Sequence, residues 1–248
     1  MITGWLESPI VRRHAWTPDL TSVVLEHRLE DFEPGQFVNL GIDVDGRRVK
    51  RAYSVVSAPG EPAEFLVVRV EDGLLTPPLF GKRVGDPVLL LPRAAGYFTL
   101  RWVPDAPMLW MIATGTGLAP FLSMLRAGAP WERFGRVVLV HGVRQGDNLA
   151  YRDEISTHAA QRPGRLVYVP VVSRERTPGA LHGRVTTALT EGLLEEAADH
   201  RIGPETDQVM LCGNPAMLDE MEAMLQQRRG LHVNRRRAPG QVTLERYW

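Results

Sequence analysis

The chain has 248 residues, and 29 Lys and Arg are balanced by 29 Asp and Glu, so its formal charge is zero. Hydrophobic residues make up 44% and charged residues 23%, an ordinary globular balance that excludes a disordered tail, a collagen or a coiled coil. Neutrality also argues against a protein that coats nucleic acid or an anionic membrane, since both need a positive excess. The longest unbroken apolar run, 108–113, is far short of the roughly 20 residues of a membrane helix. The first residues show no basic leader followed by an apolar block, so the expectation is a cytoplasmic protein away from membranes. The one cysteine, Cys212, cannot form an intrachain disulfide, an iron–sulfur cluster or a Cys-based zinc site. The seven histidines never fall at ligand spacing, and no metal centre is expected.

In chain order, 36–42, 49–57, 64–70 and 87–91 are short runs rich in Val, Leu, Phe and Tyr, punctuated by Pro34-Gly35, Asp45-Gly46, Pro59-Gly60 and Gly85-Asp86-Pro87. Such spacing predicts an antiparallel barrel or sandwich. Within it, 74–79 predicts a short helix with Thr76 as N-cap and Pro77 in the first helical position. From about residue 107 the texture changes. The runs 108–114, 136–143, 165–172 and 208–212 are apolar without alternation, as strands buried on both faces of a parallel sheet are. Between and after them, 118–125, 151–160, 186–198 and 216–229 read as helices. Strand–helix alternation predicts a doubly wound α/β domain, with the boundary near 101–106.

Several motifs sit where chemistry would be expected. Thr114-Gly115-Thr116-Gly117 follows an apolar strand and opens a helix, where glycines let a backbone approach a pyrophosphate. Pro120 stands where the last glycine of a full dinucleotide fingerprint would be, so the motif is incomplete. Arg51-Ala52-Tyr53-Ser54 offers a guanidinium for phosphate, a ring for stacking and a hydroxyl, although a strand with one solvated Arg reads the same way. Cys212-Gly213-Asn214-Pro215 ends a buried strand and opens a helix, and its thiol is either a buried hydrophobe or a ligand-facing group. Arg144, Arg174 and Arg184 follow strands or lie in the next loop, as phosphate ligands or as solvated side chains. The segment 242–248 ends in Tyr247-Trp248, an aromatic pair that either anchors the terminus or covers an aromatic ligand.

Taken in order, Arg51-Ala52-Tyr53-Ser54, Gly73-Leu74-Leu75-Thr76, Thr114-Gly115-Thr116-Gly117, Cys212-Gly213-Asn214-Pro215 and Tyr247-Trp248 resemble the ferredoxin–NADP(+) reductase family, most closely its bacterial flavodoxin/ferredoxin reductase branch. The resemblance spans essentially the whole chain. It implies an N-terminal antiparallel six-stranded β-barrel carrying FAD, residues 1–101, followed by a doubly wound parallel-sheet α/β domain for NADP(H), residues 102–248, whose tail covers the flavin. By that resemblance Arg51, Ala52, Tyr53 and Ser54 contact the flavin, Val68, Arg69 and Val70 line its ring or ribityl region, and Leu74, Leu75 and Thr76 offer a helix start to the pyrophosphate. Thr116 lies where the two cofactors meet, Tyr247 stacks on the flavin, and Trp248 reaches toward adenine. Thr114, Gly115, Val143, Arg144, Ser173, Arg174, Arg184, Cys212, Asn214 and Met217 belong to the NADP(H) pocket. Ser173, Arg174 and Arg184 grip the 2′-phosphate, which carries a preference for NADPH over NADH. The catalytic set implied is Ser54, Cys212, Glu245 and Tyr247, with Glu245 at the position of the family's proton-handling glutamate.

The resemblance therefore implies FAD as cofactor, NADP(H) as substrate, and an acidic ferredoxin or flavodoxin as partner of a monomeric enzyme. Arg47-Arg48-Val49-Lys50 and Arg235-Arg236-Arg237 are the basic clusters available to receive that carrier. Two other readings are kept: an NAD(P)H-dependent flavin or oxygenase reductase of the same fold, and a non-catalytic FAD-binding redox sensor.

Overall fold

A computed structural model describes residues 4–44 and 46–247. The chain divides into two compact units: residues 1–99 with 119–127, and residues 100–118 with 128–248. No helix among the described residues is long and apolar enough to cross a membrane.

The first unit is built on six strands, β1 (Leu6–Thr17), β2 (Leu20–Arg28), β3 (Phe37–Val44), β4 (Arg47–Ser54), β5 (Pro62–Val68) and β6 (Pro87–Ala95). They pair antiparallel in the order β4-β3-β6-β1-β2-β5. Past the end of β4 the two outer strands meet, because Val56 N–H donates to Glu64 O at 2.9 Å and Ser57 Oγ accepts from Glu64 N–H at 3.2 Å. That closure satisfies backbone groups that an open edge would leave exposed. Inward-facing Ile10, Val23, Leu25, Val38, Leu40, Phe65, Val67 and Leu90 fill the interior.

The short helix α1 (Thr76–Gly81) forms where expected, but its start differs. Leu75, not Thr76, holds the N-cap position and no side chain caps the helix. The Thr76 hydroxyl instead accepts from Val70 N–H at 2.9 Å and donates to Val70 O at 3.2 Å, tying the helix to the end of β5. Helix α2 (Ala119–Arg126) is counted with this unit. Its Ser123 hydroxyl donates to Ser57 O, and Arg126 reaches the buried Glu64 carboxylate at 2.6 Å.

The second unit carries β7 (Met108–Thr114), β8 (Arg136–Val143), β9 (Leu166–Val172), β10 (Leu181–His182), β11 (Asp207–Gly213) and β12 (Val242–Arg246), all parallel, in the order β10-β9-β8-β7-β11-β12. The helices of this unit are α3 (Arg152–Gln161), α4 (Val185–Thr190), α5 (Leu193–Ala198) and α6 (Pro215–Arg229). The single helix expected over 186–198 is two, because Gly192 adopts φ +78°, a left-handed turn that ends one helix and begins the next. Starting from β7, the chain runs outward through β8, β9 and β10, then returns to place β11 on the other side of β7. The order reverses there, and in open α/β sheets ligands bind beyond the strand ends at such a reversal.

Candidate functional site

The two glycine-bearing motifs of the second unit flank that reversal. Thr114-Gly115-Thr116-Gly117 continues from β7 into a 3₁₀ turn, Gly115–Leu118, and Cys212-Gly213-Asn214-Pro215 leads from β11 into α6. They are locked together by close approach. A Cβ on Gly117 would lie 2.4 Å from Cys212 O, and one on Gly213 would lie 2.2 Å from Thr114 Oγ1. Thr114 Oγ1 in turn accepts from Asn214 N–H at 3.0 Å. The Asn214 side chain caps α6 by accepting from Ala216 N–H and Met217 N–H, and Met217 packs into the core beneath it. At these two positions only glycine fits.

Behind the first motif lies a residue that sequence reasoning passed over. His141 on β8 is fully buried, and its Nε2 donates to Gly115 O at 3.2 Å. Burial pushes its pKa down to about 4, against a smaller opposing effect of the Gly115 bond, so the ring is neutral at physiological pH. An isolated His in an apolar run carries no signal that would have singled it out.

Beside the second motif, β12 pairs with β11 so that Glu245 lies directly against Cys212. The Cys212 thiol is completely buried. Burial first, and then the neighbouring Glu245 carboxylate, push its pKa well above the usual thiol range, opposed by a side-chain hydrogen bond with Tyr247. It is a neutral thiol rather than a nucleophile. Burial also raises the Glu245 carboxyl to about 7, and its Oε2 is buried without a hydrogen-bond partner among the described residues. Arg246 fixes the strand from outside through ion pairs with Asp219 and Glu222 of α6. Trp248 lies outside the described residues.

The three arginines lie at the same edge of the sheet, where the strands finish. Arg144 follows β8, Arg174 follows β9, and Arg184 follows β10 as the residue before α4. Backbone bonds hold these segments side by side: Ser173 N–H to Val143 O at 3.0 Å, Arg174 N–H to Arg144 O at 2.9 Å, and Gly183 N–H to Val172 O at 2.9 Å. The half-buried Ser173 turns its hydroxyl to Val143 O at 3.2 Å, while the Val143 side chain packs with Leu149 and Val172. Arg144, Arg174 and Arg184 are all exposed, and none forms an ion pair among the described residues.

In the first unit, the Arg51 to Ser54 string occupies the end of β4. Arg51 and Ala52 are exposed, Tyr53 is half-buried and Ser54 is buried. The Tyr53 ring packs edge-on against Phe65 with centroids 6.5 Å apart, and burial raises its phenol to about 12. Val68 is half-buried at the end of β5, and Arg69 is exposed beyond it. Val70 and Leu74, at 46% and 61% exposure, stand among the exposed large apolar side chains. Leu75 and Thr76 are buried, so this segment offers backbone rather than side chains to a ligand. Prolines at 77 and 78 remove two N–H groups from the first helical turn.

Of the basic clusters, Arg235 to Arg237 are exposed on a tight turn closed by reciprocal backbone bonds between Arg235 and Ala238. All three cations of the other cluster are exposed, and Arg48 is engaged with Asp43 at 2.9 Å and lies over the Trp5 ring, while Arg47 and Lys50 form no ion pair among the described residues.

A closed antiparallel six-stranded unit followed in the chain by a parallel α/β unit, with glycine turns and exposed arginines at the strand ends, is the architecture of a nucleotide-binding protein. Residues 111–223 match the family model of the oxidoreductase NAD-binding domain. The chain is 39% identical to flavodoxin/ferredoxin–NADP reductase of Escherichia coli (strain K12) over 248 residues, covering all of both proteins. It is 38% identical to ferredoxin–NADP reductase of Azotobacter vinelandii, over 87% of this chain and 86% of that protein. The crystal structure of a ferredoxin NADP+ reductase from Neisseria gonorrhoeae with bound FAD and NADP superposes with a TM-score of 0.92 at 31% identity, covering 98% of this chain and 99% of that one. The chain belongs to the flavodoxin/ferredoxin–NADP reductase family.

Proposed function

We propose that the protein is a ferredoxin/flavodoxin–NADP(+) reductase of the cytoplasm, with the first unit holding FAD and the second binding NADP(H). The observation that carries this reading is the set of three exposed, unpaired arginines at the strand ends beside two glycine-locked turns. Guanidinium groups match phosphate oxygens bidentately, and a cluster without carboxylate partners is primed for an anion. A site for NADH would favour a carboxylate at the ribose instead.

The residues of the first unit also fit FAD. The exposed Val70 and Leu74 are apolar surface that a flat ring system would cover, Tyr53 presents a half-buried ring for stacking, and the exposed Arg51, whose guanidinium donates only to Lys50 O among the described residues, supplies a charge for phosphate. Bound FAD supplies the junction between a two-electron donor and a one-electron carrier.

The chain's own contribution is binding, orientation and proton placement. Arg144, Ser173, Arg174 and Arg184 take the 2′-phosphate end of NADPH. Thr114, Gly115 and Thr116 bring backbone to its pyrophosphate, and His141 holds the Gly115 carbonyl from behind. Cys212 and Ser54, both neutral and buried, orient ligands rather than attack them. Glu245, with its pKa raised to about 7, carries a proton at its carboxyl through most of the acid side of neutrality. Tyr247, hydrogen-bonded to Cys212, presents an aromatic ring beside the strand ends.

The acceptor in this reading is an acidic electron carrier, received by Arg235, Arg236 and Arg237 of the second unit; Arg47 and Lys50 are the exposed cations of the first unit's cluster without an ion pair among the described residues. The test is NADPH-dependent reduction of a ferredoxin and a flavodoxin across a salt series, beside reduction of a small dye. Reversing the charges of Arg235 to Arg237 should slow carrier reduction and flatten its salt dependence while the dye is reduced as before. Carrier kinetics that do not change would remove this patch from the reading, and failure to reduce any carrier would favour the flavin- or oxygenase-reductase alternative.

A further inference from the structure

Besides the backbone bonds between the three arginine-bearing segments, one residue that none of the motifs includes touches all of them. Glu175 follows Arg174 directly, and its Oε1 accepts from Gly146 N–H at 2.7 Å, in the loop that begins with Arg144. Its own carbonyl accepts from His182 Nδ1 at 3.0 Å, on the strand that leads into Arg184. One residue thus bonds forward to the Arg184 segment and across to the Arg144 segment, while its neighbour carries Arg174.

From this geometry we infer that Glu175 is the positioning residue of the 2′-phosphate site, setting the spacing of the three guanidinium groups. The inference rests on the NADP(H) reading of that site. Three unpaired cations repel one another before any ligand arrives, and their loops have to be held together by something other than attraction between the side chains. A carboxylate is the natural counter-charge, but one that paired with an arginine would compete with the phosphate. Glu175 forms no ion pair among the described residues; its carboxylate is bound to a backbone N–H instead. The negative charge is therefore kept near the arginines while their donors stay open, and the hydrogen bond fixes the loop that carries one of them. Charge-assisted bonds of this kind are among the stronger ones a surface loop can make.

A carboxylate acting by charge and one acting by position predict opposite signs. Deleting a carboxylate beside a phosphate site should tighten binding if the carboxylate acts only through its charge. If Glu175 positions the loops, deletion should weaken binding. The experiment compares wild type, Glu175→Ala and Glu175→Gln by calorimetric titration with 2′,5′-ADP, and by kcat/KM for NADPH relative to NADH. In Glu175→Ala, 2′,5′-ADP should bind about tenfold more weakly, with the NADPH/NADH preference falling in step through KM rather than kcat. Glu175→Gln keeps an oxygen acceptor for Gly146 N–H and should restore binding to within about threefold of wild type or better. Tighter 2′,5′-ADP binding in Glu175→Ala, or an unchanged NADPH/NADH ratio in a variant whose wild type does discriminate, would overturn the inference. A wild type that fails to discriminate between NADPH and NADH would instead overturn the underlying reading of the site.

Discussion

The two ends of the parallel sheet treat their polar groups in opposite ways. At the end where the strands begin, Asp207 is completely buried and accepts from four donors: Trp110 Nε1 at 2.8 Å, His200 Nε2 at 3.0 Å, Gly203 N–H at 3.0 Å and Thr206 Oγ1 at 2.7 Å. At the end where the strands finish, Arg144, Arg174 and Arg184 are exposed without ion pairs, and Glu245 keeps a buried oxygen without a partner, among the described residues. Both ends join the same strands, so the contrast does not come from topology. A satisfied network stabilises, whereas polar groups left open at one end are available to a ligand. Changes at Asp207 should accordingly act on stability, and changes at the exposed arginines on binding.

The largest effect tests the closed end. Asp207→Ala leaves the Trp110 and Thr206 donors without their acceptor and should cost about 3–5 kcal/mol in urea unfolding. The KM for NADPH should change less than twofold, and a large loss of nucleotide affinity would break the separation. The next concerns Glu245. Its folded pKa of about 7 lies above the ordinary carboxyl value of 4.5, so the folded state holds the proton more tightly. The stability this contributes is fully present below pH 4.5 and is lost as the pH rises to about 7, by roughly 3 kcal/mol in all. Glu245→Gln should abolish that slope; an identical pH profile in both proteins would contradict the buried, protonated carboxyl.

Smaller effects probe the open end. Arg174→Ala and Arg184→Ala should each weaken NADPH binding by about 10- to 100-fold, as loss of a hydrogen bond to a charged group does. Unfolding free energies should stay within about 0.5 kcal/mol of wild type, because these side chains pack against nothing that their removal would leave exposed. Cys212 gives the smallest signal. Buried and held neutral, it should resist iodoacetamide at pH 8 in the folded protein and react fully once unfolded, as read by mass. Rapid labelling of the folded protein would place the thiol in a more open environment than the sheet end provides.

The sequence spoke clearly where one local pattern sufficed. Continuous apolar runs marked β7, β8, β9 and β11 within a residue or two, because strands covered on both faces need no alternation. Arg144 and Arg174 stand just after β8 and β9, two of those runs, whereas Arg184 follows β10, a two-residue strand too short to leave a pattern. The first two strands of the chain were not found. β1 carries Pro9 together with Arg12, Arg13 and His14, and its pairing with β2 shifts register between Ile10 and Arg12 and again between Ala15 and Thr17. Each irregularity breaks the period of two on which recognition of a strand depends. The Thr76 cap failed for a related reason, since the hydroxyl found a non-local partner in Val70. In the site, Glu245 was noted but its contact with Cys212 was not, because that contact exists only once β12 has paired with β11. His141 and Glu175 act through backbone groups of other loops, which no local spacing announces.

Hydride transfer from NADPH to a bound flavin is tested most directly by an anaerobic titration followed by visible absorbance. The purified protein should be yellow, and NADPH should bleach its flavin band rapidly while NADH does so slowly. Equal bleaching by both nucleotides would contradict the role given to Arg144, Arg174 and Arg184, and a protein that neither nucleotide bleaches would contradict the proposed reaction itself.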